Sequence, residues 1–350
     1  MTTIEILRSV ASHGVSGGGR SPASVDRAEA GDLIAEATAH KLIGLLDQAV
    51  ADGAVLCDEV TAGEIGERAV EVAGWSVRLE RHLLTVHELL LDHGLRHRFI
   101  KGSTIAHRFY SHPALRMSVD VDVLVPSAEL EHALAVLAED GHVRTQPDPY
   151  PGFSRVYGKS VTMRHSNGVE VDVHRVIADG PFGLRASADS LWERPDAWIT
   201  LGGRAVPTLD PVAAFVHACV NAVASYDLVT LASLRDVVQV GTAVADQVPD
   251  VLEVADALCV QACLADAVAR ATTAMAWDAP AAIAPLADWS GSTRERQWLD
   301  SYREPPRDWR RVLLGWQAVP GLGAKVGHLG SAARLWAGRP SRRRDRGSTA

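Results

Sequence analysis

Apolar positions recur with helical spacing through residues 30–50, at Leu33, Ile34, Ala37, Leu42, Ile43, Leu45 and Leu46, and predict helix there. Residues 64–93 repeat the pattern more broadly. Leu79, Leu83, Leu84, Val86, Leu90 and Leu91 form a stripe that predicts one or two helices, ended by Gly94. The period then shortens. Residues 97–101 predict a short strand, Gly102-Ser103 turns the chain, 104–110 predict a short helix, and His112-Pro113 breaks it. Residues 117–125 alternate strictly and predict a strand with Val119, Val121 and Val123 facing the core. Pro126-Ser127 opens the next helix with Ser127 as N-cap; Leu130, Leu134 and Leu137 face inward and Gly141 ends it. After a turn at 150–152, residues 161–164 and 169–174 flank Ser166-Asn167-Gly168, a strong hairpin signal. Residues 200–207 read as irregular. Asp210-Pro211 supplies a cap followed by proline at the first helical position. Residues 213–225, 228–244 and 251–277 then predict three helices with apolar faces broad enough for a small bundle.

These elements imply an α/β (α+β) fold: a small mixed β-sheet core with flanking helices. The expected divisions are an N-terminal helical region (1–94), the sheet core (95–207), a helical bundle (208–280) and an irregular C-terminal segment with a basic tail (281–350). In the last segment Trp289, Trp298, Trp309, Trp316 and Trp336 suggest packing elements between turns. Arg339 to Arg346 reads as a disordered tail, with a phosphate or membrane surface as the lesser alternative.

Composition narrows the class. At 350 residues, 47% apolar and with mean hydropathy near zero, the chain reads as soluble and globular. A net charge of −8 argues against broad nucleic-acid binding. Cys57, Cys219, Cys259 and Cys263 show no C-x-x-C spacing and read as reduced, buried thiols in helical segments. The first residues lack a signal-peptide pattern and no run of about 18 apolar residues occurs, so a cytoplasmic protein without a transmembrane segment is expected. The glycine cluster from Gly14 to Pro22 lacks phosphate-loop spacing and reads as a flexible loop. His87, Glu88 and His93 lack H-E-x-x-H spacing and read as packed or solvated side chains. Basic charge is almost all arginine. The only lysines are Lys41, Lys101, Lys159 and Lys325, which makes a lysine directly before Gly102-Ser103 conspicuous.

The chemistry concentrates in residues 99–125. On a strand, residues two apart share a face about 7 Å apart, so Asp120 and Asp122 project together. Carboxylates held that close repel each other unless a cation lies between them. Glu170, Asp172 and His174 share a face of the later strand by the same rule. If the two strands are neighbours, Asp172 reaches the same cavity. Mg²⁺ takes a few carboxylate oxygens plus substrate phosphates. Gly102 lets backbone approach a polyphosphate, and Ser103 with the following amides opens a helix whose N-terminus favours anions. Lys101 and Arg116 are the cationic partners expected for phosphates. Together these are the parts of a two-metal displacement.

At these residues the chain resembles the nucleotidyltransferase superfamily of the polymerase-β type, and within it the bacterial group known as nucleotidyltransferase family proteins. The resemblance is carried by Lys101-Gly102, Tyr110, Arg116, the run Ser118-Val119-Asp120-Val121-Asp122-Val123-Leu124-Val125, and Asp172-Val173-His174. It covers about residues 95–175 specifically and extends more loosely to both sides. It implies Mg²⁺ (with Mn²⁺ as the alternative) at Asp120 and Asp122, a third carboxylate at Asp172, and a nucleoside triphosphate donor. The helix after Asp210 often carries a second histidine in that group; here Asn221 takes the position, with His217 one turn earlier.

The expected function is therefore Mg²⁺-dependent transfer of a nucleoside monophosphate from an NTP to a hydroxyl or phosphate of a small-molecule or protein acceptor. The bundle would form one wall of the acceptor cleft. A non-catalytic nucleotide-binding or regulatory protein on the same fold is the alternative. A partner of a toxin or modification system is a third reading, with the N-terminal helices as its interaction surface.

Overall fold

The alternating valines and aspartates at 119–125 build the middle of a seven-stranded sheet. The structure, a computed structural model, describes residues 1–15, 22–148, 150–185, 188–225, 229–289, 291–303, 308–319 and 321–337. The glycine cluster beyond Val15, the basic tail, and the side chains of Trp309 and Trp336 lie outside the described residues. Two short strands, β1 (Ala23–Ser24) and β2 (Val55–Leu56), pair in parallel beside the N-terminal helices. The main sheet contains β3 (Arg98–Phe99), β4 (Val121–Leu124), β5 (Val143–Arg144), β6 (Ser160–Arg164), β7 (Glu170–His174), β8 (Ala197–Leu201) and β9 (Arg204–Thr208). Their order is β5-β6-β7-β4-β3-β9-β8. The β4–β7 and β3–β9 pairs are parallel and the other pairs antiparallel. This is the expected mixed sheet with flanking helices.

Strand β4 is shorter than its alternation suggested. Asp120 sits in a bend just before it, and Val119, expected in the core, is exposed. From Val121 onward the period of two holds. Val121, Val123, Val171 and Val173 pack beneath the sheet on Leu79, Leu83, Val86, Leu90, Leu130, Leu134 and Leu137. Asp122 and Asp172 are thereby turned to the opposite face. A second apolar cluster covers that side, running from Ile6 and Leu7 through Ile105 and Leu124 to Phe215, Val238 and Trp298.

Several local expectations change. Residues 64–92 belong to one 34-residue helix, Glu59–Asp92, about 50 Å long, which Asp58 caps by accepting from Thr61 N at 2.7 Å. Leu91 points to solvent from its far end. Ser127 caps no helix; its hydroxyl donates to Arg175 O, and the helix begins at Leu130. Residues 200–207 are not irregular. They form the β8–β9 hairpin, turned by Gly202 and Gly203 at φ 54° and 80°, values that suit the tight turn of a two-residue hairpin. Residues 251–277 split into Val248–Ala257 and Gln261–Met275, because Cys259 takes a left-handed φ of 53° between them. Cys259 and Cys57 are half-buried and lie outside helices. The segment after residue 280 forms the helices Thr293–Arg303, Asp308–Ala318 and Leu322–Ala337. Asp210 behaves as expected. It accepts from Val212 N and Ala213 N at the start of Pro211–Val223, and Arg194 grips it at 2.7 and 2.9 Å.

The long helix is tied down by histidine pairs. His142 Nδ1 faces Leu137 O at 3.1 Å and so carries the proton, which leaves Nε2 to accept from His82 Nε2 at 2.9 Å. His82 Nδ1 then accepts from Asn167. His97 Nδ1 likewise faces Leu95 O, and its Nε2 lies 2.8 Å from His87 Nδ1. All four rings are buried. Burial pushes His82 and His97 down to about 4, and in His82 the neighbouring His142 adds to the effect. In the unfolded chain these groups titrate near 6.5. Below that value the unfolded state takes up protons that the folded state refuses, so stability falls as the pH drops from about 6.5 towards 4. Allowing for partial solvent screening, the two rings together are expected to remove about 2–3 kcal/mol between pH 7.5 and pH 5. Urea midpoints at the two pH values check this. A His82→Gln/His97→Gln variant with an unchanged pH dependence would refute it.

Candidate active site

Strands β4 and β7 run parallel in a register that sets Asp122 directly beside Asp172. The period of two leaves both carboxylates on the face away from the valine core. Asp120 joins them from the bend before β4. All three line one cavity of about 210 Å³, together with Lys41, Lys101, Gly102, Arg116, Ser118 and Lys159. Asn221 from the Pro211–Val223 helix and Ser233 and Asp236 from Leu231–Ala243 line the same cavity and bring the bundle into its wall.

Each carboxylate is held differently. Asp122 is buried, and its Oδ1 accepts from Lys101 Nζ at 2.6 Å and from His174 Nε2 at 2.7 Å. Burial works against its charge, but Lys101 and His174 outweigh burial and hold Asp122 well below the usual carboxylate range. Asp172 accepts from Thr162 Oγ1 at 2.5 Å across the β6–β7 hairpin. Asp120 has neither kind of support. Burial and the charge of Asp122 push it up to about 7. One carboxylate of the group is thus held back from ionising by its neighbours, which is the electrostatic situation that a bound cation relieves. His174 is fully buried, its Nδ1 has no hydrogen-bond partner, and burial followed by Lys101 lowers its pKa. Ligand atoms of Asp122, Asp172 and His174 all lie within 4.8 Å of one another. With His174 Nε2 engaged on Asp122, the two carboxylates are the donors of this group that suit a hard divalent cation.

The turn before the carboxylates is tight. Lys101 has φ 56° and Gly102 φ 43°, and Lys101 O accepts from Thr104 N and from Thr104 Oγ1 as the Gly102–Phe109 helix starts. Lys101 pays a backbone cost that glycine would avoid, and its amine goes to Asp122. Gly102 lines the cavity. Ser103 is buried and is not among the cavity-lining residues. Arg116 lines the cavity too, but its guanidinium grips Asp236 through Nε and Nη2 at 2.9 and 2.7 Å, and Nη1 donates to Ser118 Oγ.

Residues 26–275 match the sequence profile of a family described as uncharacterised nucleotidyltransferase. The chain belongs to that family. Among solved structures it is similar to an antigenic nucleotidyltransferase-like protein from Paracoccidioides brasiliensis, at 13% identity and a TM-score of 0.30, over 51% of this chain and 91% of that one. No curated protein matches it. Among the described residues, no helix is long and apolar enough to cross a membrane.

Sequence reasoning assigned no role to three charged cavity residues in this family member: Lys41, Lys159 and Asp236. The scarcity of lysine was the available signal. Three of the four lysines line this cavity. Asp236 was hidden in a helix whose other buried residues are mostly apolar. His217, one turn before Asn221, is buried with Nε2 unpartnered, and burial pushes its pKa well down, so it packs as a neutral ring.

Proposed function

We propose that the protein transfers a nucleoside monophosphate from an NTP to a hydroxyl or phosphate of a small-molecule or protein acceptor, using Mg²⁺ or Mn²⁺ and releasing pyrophosphate. The observation that carries this reading is the pairing of Asp122 with Asp172 on adjacent parallel strands, beside Asp120 and the Gly102 turn in one cavity. Asp120, Asp122 and Asp172 would hold the cation, which supplies charge neutralisation and Lewis acidity when bound. His174 orients Asp122 by its 2.7 Å hydrogen bond, and Thr162 fixes Asp172. Gly102 leaves room for backbone amides to approach the polyphosphate, Ser103 follows it into the helix, and Lys101 balances the carboxylates until substrate enters. Arg116 acts on the phosphates at most through the wall that it braces. The Asn221 side of the cavity is where an acceptor would enter.

Calorimetry tests this reading. The four common NTPs, titrated with and without Mg²⁺ or Mn²⁺, are expected to bind only with the cation. Asp172→Asn should weaken that binding by about 10–100-fold, as for loss of one ligand or its support. Metal-independent NTP binding that Asp172→Asn leaves intact would sink the metal assignment and favour the non-catalytic binder. One contact speaks for that second reading: the Lys101 amine already occupies Asp122 Oδ1.

A further inference from the structure

The charges around the cavity are not all paired. Its lining carries four cations, Lys41, Lys101, Arg116 and Lys159, and four carboxylates, Asp120, Asp122, Asp172 and Asp236. Lys101 pairs with Asp122, and Arg116 with Asp236. Among the described residues Lys41 and Lys159 make no ion pair. If Asp120 and Asp172 are taken by a divalent cation, Lys41 loses the Asp120 charge that it faces, and Lys159 keeps, apart from Asp122 already paired with Lys101, only Asp179, which lies outside the cavity lining.

Lys41 reaches the cavity at a structural cost. It follows the Ala30–Ala39 helix, where Lys41 N donates to Thr38 O at 3.0 Å and Leu42 N to Ala37 O at 2.7 Å. That is the Schellman ending of a helix, whose left-handed position normally belongs to glycine. Lys41 holds it at φ 59°. Of the four non-glycine residues with positive φ among the described residues, two are the cavity lysines Lys41 and Lys101. Strain of this kind persists where the surroundings over-determine it.

The surroundings here do so. His40 O accepts from Ala232 N, and His40 Nδ1 from Leu231 N, both at 3.3 Å. The first amides of the Leu231–Ala243 helix are therefore already used and cannot serve an anion. A Cβ on Gly44 would stand 2.2 Å from Ala114 O, so the next helix, Ile43–Ala51, is pressed against the turn that leads to Arg116. Lys159 comes from the sheet. It immediately precedes β6, with its backbone held by Arg175 N at 3.0 Å, and burial followed by the nearby Lys101 charge lowers its pKa.

We infer that Lys41 and Lys159 form a phosphate-binding subsite beside the carboxylates, so that the N-terminal helical region supplies part of the active site. This rests on the nucleotidyl-transfer reading for its place in catalysis. The ligand chemistry is a phosphate or pyrophosphate group. It would be either the β,γ-phosphates of the donor or a phosphate on the acceptor.

Lys41→Gly separates binding from folding, because glycine suits the left-handed position better than lysine. The full-length variant should melt at the same temperature or a few degrees higher. It should bind inorganic pyrophosphate, with Mg²⁺ present, about five- to tenfold more weakly than wild type in calorimetry, as should Lys159→Met. If the donor is the source, NTP affinity falls in parallel while NMP affinity does not. If the acceptor is the source, the loss appears instead when inorganic phosphate is titrated into protein saturated with a non-hydrolysable NTP analogue. Wild-type affinity of both variants for pyrophosphate, phosphate and NTP would overturn the subsite and leave the metal assignment standing. Pyrophosphate binding that depends on Lys41, in a protein that binds no NTP, would keep the subsite and remove the transferase reading.

Discussion

Asp122→Asn is expected to lower metal-dependent nucleotide transfer by about 10³-fold, equivalent to about 4 kcal/mol of transition-state stabilisation, while the protein stays folded. The two halves of that expectation have separate physical causes. Asp122 is the carboxylate most firmly kept ionised, by Lys101 and His174 acting on the same oxygen. An amide there keeps the shape but loses the charge around which the other two carboxylates are arranged. Removing a buried charge usually strands its partner, here Lys101. In this cluster Asp120 provides relief. It sits near 7 because Asp122 is charged and buried beside it. With Asp122 neutral, Asp120 ionises more readily and takes over the balance of Lys101. Stability should therefore change far less than activity. Pyrophosphate release, Mn²⁺ affinity and the urea midpoint measured on one preparation check this. An equal fall in all three would mean that the carboxylate is a structural group.

The carboxylate side of the site was legible because strands report themselves through a period of two. Asp120-x-Asp122 and Glu170-x-Asp172-x-His174 each announced one face, and Ser166-Asn167-Gly168 announced the hairpin that carries Asp172. Neighbouring placement of β4 and β7 was a condition that only the fold could meet, and it is met in register. The other wall was not legible. Lys41 comes from 60 residues before Lys101 and Asp236 from 120 residues after Arg116, and no local pattern links them. A left-handed lysine looks like any helix-end lysine until φ is known. Residues 200–207 read as irregular although Gly202-Gly203 is a hairpin signal; Pro207, a residue that strands usually exclude, sits in register opposite Trp198. The break at Cys259 carried no glycine or proline to mark it.

Asp236→Ala is expected to cost about 3–5 kcal/mol of stability, the usual loss when one partner of a buried ion pair is removed. Arg116 and Asp236 have side chains only 10% and 3% exposed, and burial of Arg116 is outweighed by the carboxylate that raises its pKa. Tyr110 OH donates to the same Asp236 Oδ1 at 2.8 Å, and Ser118 accepts from Arg116. The pair thus joins three segments: the end of the Gly102–Phe109 helix, the approach to β4, and the bundle helix that walls the cavity. Removing Asp236 leaves both a guanidinium and a phenol without their acceptor. Arg116→Met combined with Asp236→Leu removes both charges and should cost clearly less than Asp236→Ala alone, so a double-mutant cycle from urea midpoints should give a coupling of at least about 2 kcal/mol. If the two single losses simply add, the pair is no strut, and Arg116 is then free to serve phosphate directly. If they couple, the bundle wall is locked to the strand that carries Asp122, and the spacing between the carboxylates and the bundle helix is set by an ion pair that itself lines the cavity.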